Sequence, residues 1–251
     1  MAEYKFPSEV VDLPSKGLLY PKDSPLSNGK IEIKYMTAKE EDILTSQNLI
    51  KKGLVIDKLL DELILTKGIK SDDLLVGDKN AIMVAARVLA YGPEYVVELT
   101  NQYTDEKFNH TFNLADCPFK EIPEDVDYSS NEFELKLPVS KTKLTVKLLT
   151  GKDEKNIQQE IKARQKIGTQ SSEVTTRLKH TILSVDGDDT KKTINDFVDV
   201  KLLSRDSLFL RTEIQRIAPD INLKQEVEME GEAVEVEIPL TVNFFWPSAR
   251  T

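Results

Sequence analysis

The chain has little of what most chemistry needs. Its 251 residues include one cysteine, Cys117, and two histidines, His110 and His180. A single cysteine rules out an internal disulfide and fits a reducing compartment. His110 and Cys117 lie close in sequence with no second ligand pair, so no zinc site is expected. No motif flanks them that would make a Cys–His nucleophile. Glycine is sparse at 10 residues. "VGDKNA" has only one, whereas a phosphate-cradling loop needs several so that consecutive N–H groups converge. Gly77-Asp78 therefore reads as a turn and helix N-cap. "DGDDT" places its glycine in the wrong register for a calcium loop and reads as a turn feeding a helix cap.

Long apolar runs are missing too. No window approaches the ~18–20 apolar residues that span a bilayer. "MAEYKFPSEVVDLP" shows no basic region leading into an apolar stretch, so no secretory leader is expected. Basic residues are the minority: 34 Lys and Arg against 43 Asp and Glu, a net charge of −9. An acidic surface repels phosphate, which argues against nucleic acid as a partner. The acidic pairs Glu40/Glu41 and Asp72/Asp73 read as solvated helix termini, since nothing places them in a pocket as acid and base. No catalytic residue, cofactor, metal or small-molecule substrate is expected.

What is present is organisation. A hydrophobic fraction of 39% can build a core. "VDLPSKGLLYP" sets two prolines around a turn and reads as an extended arm. "KIEIKYM" alternates as a strand. Thr37-Ala38-Lys39-Glu40 then fits a capping box, opening a helix expected to run to Gly53. Two more helices follow, "VIDKLLDELIL" and "KNAIMVAARVLAYG", and then a hairpin of "EYVVELTN" and "KFNHTFNLAD". "CPFKEIPEDVDYSSNE" reads as a linker. The pattern then restarts: strands in "EFELKLPVSKTKLTVKLL", a helix opened at Thr150, helices in "EVTTRLKHTILSV", "DTKKTINDFVDV" and "RDSLFLRTEIQRIA", and strands in "INLKQEVEME" and "AVEVEIPLTVNF".

"KYMTAKEED" and "KLLTGKDEK" occupy matching places in the two halves, each a strand-to-helix junction. The expected fold is α+β, two tandem related modules, each with strands, a small helical bundle and a β-hairpin. The expected division is an arm at 1–22, a first module at 23–116, a linker at 117–131 and a second module at 132–251. An internal duplication accounts for the order; two independent solutions to one capping problem are the alternative.

Two stretches look chosen for contact. Leu18, Leu19 and Tyr20 sit on the proline-stiffened arm, and Phe244, Phe245 and Trp246 stand side by side near the last residues. Consecutive aromatics in a strand point to both faces, so one face is expected to serve the core and the other a neighbour. These six are the candidate interface residues.

The arm "LPSKGLLYP", the junction "IEIKYMTAKEEDILTSQNLIKKG", the run "LLVGDKNAIMVAARVLAYG" and the ending "VEIPLTVNFFWP" together resemble the baseplate hub and baseplate assembly proteins of T-even-like contractile-tailed bacteriophages. "LLTGKDEKNI" and "TTRLKHTILSV" extend the likeness over nearly the whole chain. The resemblance implies a non-enzymatic structural or assembly subunit in the hub region, built in the host cytoplasm and carried in the virion. Its partners would be other baseplate or tail proteins, without nucleic acid or membrane. A chaperone absent from the mature virion and a tail-associated enzyme are the rivals. Family members with cysteine pairs in the terminal hairpin imply a small zinc site; "EVEMEGEAVEVEIP" has no cysteine, so that feature does not carry over.

Overall fold

The computed structural model describes residues 7–166, 173–240 and 242–245. Nine strands and eight helices are present among them, and all sheets are small and antiparallel. The fold is mixed α+β.

Strand β1 (Ser8–Asp12) pairs with β2 (Lys30–Lys34). Between them Leu13 to Tyr20 coil through close turns, so the arm is a strand and a folded loop laid on the body. Helix α1 (Ala38–Thr45) starts where the capping box places it. It stops at Ser46, and α2 (Gln47–Lys52) carries on to Gly53. Ser46 takes an extended conformation (φ −65°, ψ 102°), breaking the single helix expected there. Serine competes for backbone hydrogen bonds and tolerates such breaks.

Helix α3 (Val55–Leu63) buries Val55, Leu59, Leu60 and Leu63 along one stripe. Helix α4 (Val76–Tyr91) is apolar nearly all round and runs through the first core. It begins one turn-end earlier than expected: Leu75 is its N-cap, and Asp78 lies inside the first turn. Strands β3 (Glu94–Thr100) and β4 (Lys107–Asn113) form the expected hairpin.

Strands β5 (Phe133–Lys136) and β6 (Lys143–Val146) pair, and helices α5 (Gly151–Lys166) and α6 (Glu173–Thr181) follow. Residues after α6 do not continue the helix as expected; they form β7 (Ile182–Val185) on the free edge of β6. A short apolar run of this kind reads equally as helix or strand, and the open edge decides it. Helix α7 (Lys191–Asp196) is capped by Thr190, whose hydroxyl accepts from Thr193 N. A wider π-helical turn, Phe197–Lys201, leads to α8 (Ser204–Ile217). Strands β8 (Lys224–Met229) and β9 (Glu232–Glu237) close the molecule as a hairpin, followed by a short 3-10 turn at Val242–Phe245.

Two cores result. The first gathers the N-terminal half and the returning C-terminal segment: Ile221, Val227, Met229, Ile238, Phe244 and Phe245 pack with residues of α3, α4 and β4. The second is built on β5, β6, β7, α6 and α8, and takes in Leu19 and Leu75 from the N-terminal half.

Candidate interaction surfaces

The arm is fastened by one buried carboxylate. Asp78 is fully buried on α4. It accepts from Ser15 N at 2.9 Å, from the Ser15 hydroxyl at 2.7 Å and from the Tyr20 hydroxyl at 2.7 Å. The Tyr20 oxygen in turn accepts from Leu75 N at 2.9 Å, at the start of α4. Burial pushes the Asp78 carboxyl up, against the pull of its hydrogen bonds, and pushes the Tyr20 phenol up as well. A polar group enclosed this way holds its place only while its partners stay.

These contacts sort the arm's three candidate residues. Leu19 is buried in the second core, and Tyr20 packs against both cores. Leu18 points outward, 48% exposed.

The two halves meet at a seam built from backbone. Leu75 and Thr150 form an antiparallel bridge. Val76 N donates to Leu149 O at 3.0 Å, and Gly151 N to Leu74 O at 2.8 Å. Helices α4 and α5 thus start side by side. A Cβ on Gly77 would sit 1.9 Å from Pro219 O, and one on Gly151 would sit 2.2 Å from Ser71 O. Glycine is required at both because the opposite backbone occupies the side-chain space. Asn80 donates to Asp220 at 3.2 Å and Lys155 reaches Asp72 at 3.2 Å, tying the seam further.

The C-terminal aromatics are enclosed. Phe244 and Phe245 are both fully buried. Phe244 meets Tyr95 edge-on with ring centres 5.0 Å apart, and Phe245 meets Phe244 at 5.4 Å. Arg87, only 4% exposed, donates Nε to Phe244 O at 3.1 Å and further N–H groups to Gly92 O and Glu94 O. Its guanidinium also lies 4.9 Å from the centre of the Tyr91 ring. Burial pushes its pKa down, while neighbouring Tyr91 and Tyr95 favour the charge. Both phenylalanines are hidden because the segment is not a strand. Pro239 ends the ladder after β9, and a short helical turn lets adjacent side chains enter one core. Sequence reasoning expected a strand here, with opposite faces. Trp246 lies outside the described residues.

The soft ligands are dispersed. Cys117 accepts from Gln225 Nε2 at 3.3 Å, His110 stacks edge-on against Phe112, and His180 faces Glu160. Among the described residues no three His, Cys, Asp or Glu side chains gather in a way that could hold a metal ion. No described helix is long and apolar enough to cross a membrane.

Two recesses flank the seam. One, about 400 Å³, is mostly apolar, walled by Leu75, Leu148, Leu178, Ile214 and Ala218. The other, about 930 Å³, lies between α2, α4 and α5 and is lined by lysines. The second could not be read from the sequence, because its lysines come from three separate helices.

The family model for the T4 bacteriophage base plate protein matches residues 9–246. The chain belongs to that baseplate family. The match runs from β1 through both cores to the C-terminal aromatics, so it takes in the arm, the seam and the returning hairpin together. No curated protein and no solved structure matches the chain. Baseplate membership makes this a phage tail protein.

Proposed function

We propose that the chain is a structural or assembly subunit of the phage tail baseplate, in its hub region, and that it works without catalysis, by placing protein surfaces. The observation that carries this reading is the baseplate family match over residues 9–246. The packing supports it. Arm, seam and C-terminal segment lock two cores into one body, which presents surfaces at fixed relative positions and limits the ordering cost of binding. Leu18 on the arm and Val200, Leu203 and Leu208 around the start of α8 stand in water. Large apolar side chains left in water suit a protein neighbour. Its partners are then other baseplate or tail proteins, with no role for nucleic acid, membrane or a small substrate, and it is assembled in the host cytoplasm into the virion.

Quantitative mass spectrometry of purified phage particles tests this. A fixed copy number per particle is expected. Absence from particles, combined with failure of baseplates to form when the gene is silenced, replaces this reading with that of a chaperone that leaves before maturation. Wall-degrading activity of the purified chain would overturn the non-enzymatic reading.

A further inference from the structure

The chain carries a net charge of −9, yet one cleft collects cations. Lys51 and Lys52 stand at the end of α2, Lys79 on α4, and Lys155, Lys162 and Lys166 along α5. Two carboxylates share the lining, and both are engaged: Asp57 by Lys79 and Glu154 by Arg177. Lys155 reaches Asp72, and Lys162 donates to Lys52 O at 3.0 Å. Lys51, Lys52 and Lys166 have no carboxylate partner among the described residues. The floor is apolar, with Leu54, Ile56, Met83 and Leu240.

Elsewhere the same molecule carries the complement. The inner face of the β8–β9 hairpin, Val227 and Met229 with Val234 and Val236, covers the first core. Its outer face is acidic. Glu226 stands directly opposite Glu235, and Lys224 opposite Glu237. Like charges directly across a ladder repel, so the hairpin bears a local strain that a cation would relieve. Lys224 answers Glu235 at 2.6 Å. Glu237 shares the charge of Lys224, while Glu226 and Glu228 form no ion pair among the described residues.

We infer that these surfaces meet between copies: the lysine cleft of one chain receives the acidic outer face of the β8–β9 hairpin of a second. The dimensions agree. Lys155 to Lys166 spans about 17 Å at ~1.5 Å per helical residue, and a six-residue strand spans about 17–20 Å. The two patches are different surfaces, so the contact is head-to-tail, and a row of copies closes into a ring or extends. No aromatic side chain lines the cleft among the described residues, so it lacks the stacking platform of a single-strand nucleic-acid groove. This inference goes beyond the baseplate reading and stands or falls without it, since purified chain alone is tested.

Sedimentation velocity on the full chain, over a range of concentrations at low and high salt, reads the contact. The average mass is expected to rise above 28.4 kDa with concentration, and less so at high salt. Lys52→Glu with Lys166→Glu, or Glu226→Lys with Glu228→Lys, should each weaken self-association at least about tenfold. Mixing the two doubly reversed chains should restore it, because each then offers the other a complementary pair. Circular dichroism of each variant checks that it is folded. A wild-type chain that stays monomeric throughout overturns the inference. So does association that ignores both reversals, or a cleft that binds an oligonucleotide while the chain remains monomeric.

Discussion

Glu40 shows how much one residue carries. It is fully buried at the start of α1. Its carboxylate accepts from Lys34 Nζ at 2.8 Å and from Thr37 N at 2.9 Å, and the Thr37 hydroxyl adds a third bond. Burial alone would raise its pKa; the bonds from Lys34 and Thr37 and the lysine charge outweigh it and hold the group at about 2. A depressed carboxylate adds stability above its unfolded pKa and loses it as pH falls through the folded value. The window is therefore about pH 4.5 down to about 2. Glu40→Gln should flatten the acid end of the stability profile, costing about 3 kcal/mol at neutral pH and little near pH 2. Urea melts at several pH values would show this; parallel profiles for the two chains would refute it. Thr37→Ala should cost about 1 kcal/mol, since it removes one bond and a cap. Arg87 is a second such residue. Arg87→Lys keeps the charge but loses the planar fork that serves carbonyls of Phe244, Gly92 and Glu94. A loss of about 2 kcal/mol is expected, because buried carbonyls are left unpaired. An unchanged thermal midpoint would remove Arg87 as the clasp.

At the scale of elements, the repeated nonapeptide finds its explanation. Around Thr150 the bonding of Thr37 recurs. Lys147 Nζ meets Asp153 at 2.8 Å, and Thr150 N and its hydroxyl donate to the same carboxylate at 3.0 Å. This junction is what the two halves share; beneath it β6 pairs with both β5 and β7, while β2 pairs with β1 and on its other edge makes a single antiparallel bridge, Ile33 to Ile64. Helices with a sharp cap or a continuous apolar stripe, such as α1, α3 and α4, were legible in the sequence because their signals are local. The break at Ser46, a local choice of one serine inside an otherwise helical pattern, was not; nor were β7 and the turn at Val242–Phe245, which are settled by an open sheet edge and by a distant core. The glycines of the seam belong to the same class. Alanine is the better helix former by about 1 kcal/mol, so Gly77→Ala and Gly151→Ala would be expected to stabilise α4 and α5 if nothing faced them. With Pro219 O and Ser71 O in the way, both should instead lower the melting temperature, and the double variant should do so most. A rise in either single variant would show that the halves do not sit this closely.

For the whole molecule, the question is what covers the aromatic end. The family match reaches residue 246, so the segment is part of the shared architecture. Of the six residues singled out for contact, the structure encloses Leu19, Phe244 and Phe245, half-buries Tyr20 and leaves Leu18 in water. The sequence could mark these as apolar and conspicuous. It could not assign them to a core, because that core is assembled from residues more than 100 positions apart, as the Arg87–Phe244 bond across 157 residues shows. The consequence is mechanical. Phe245→Ala should cost about 3–5 kcal/mol, as truncating a buried aromatic does. Removal of residues 244–251 should cost more, stripping Arg87 of a partner and opening the first core beside Tyr95 and Phe112. That chain should aggregate or become protease-sensitive rather than remain a sound body lacking one contact. Limited proteolysis with size-exclusion chromatography separates the cases. A truncated chain that stays monodisperse and protease-resistant would mean that Phe244 and Phe245 are dispensable to the core and free to serve a neighbour in the baseplate.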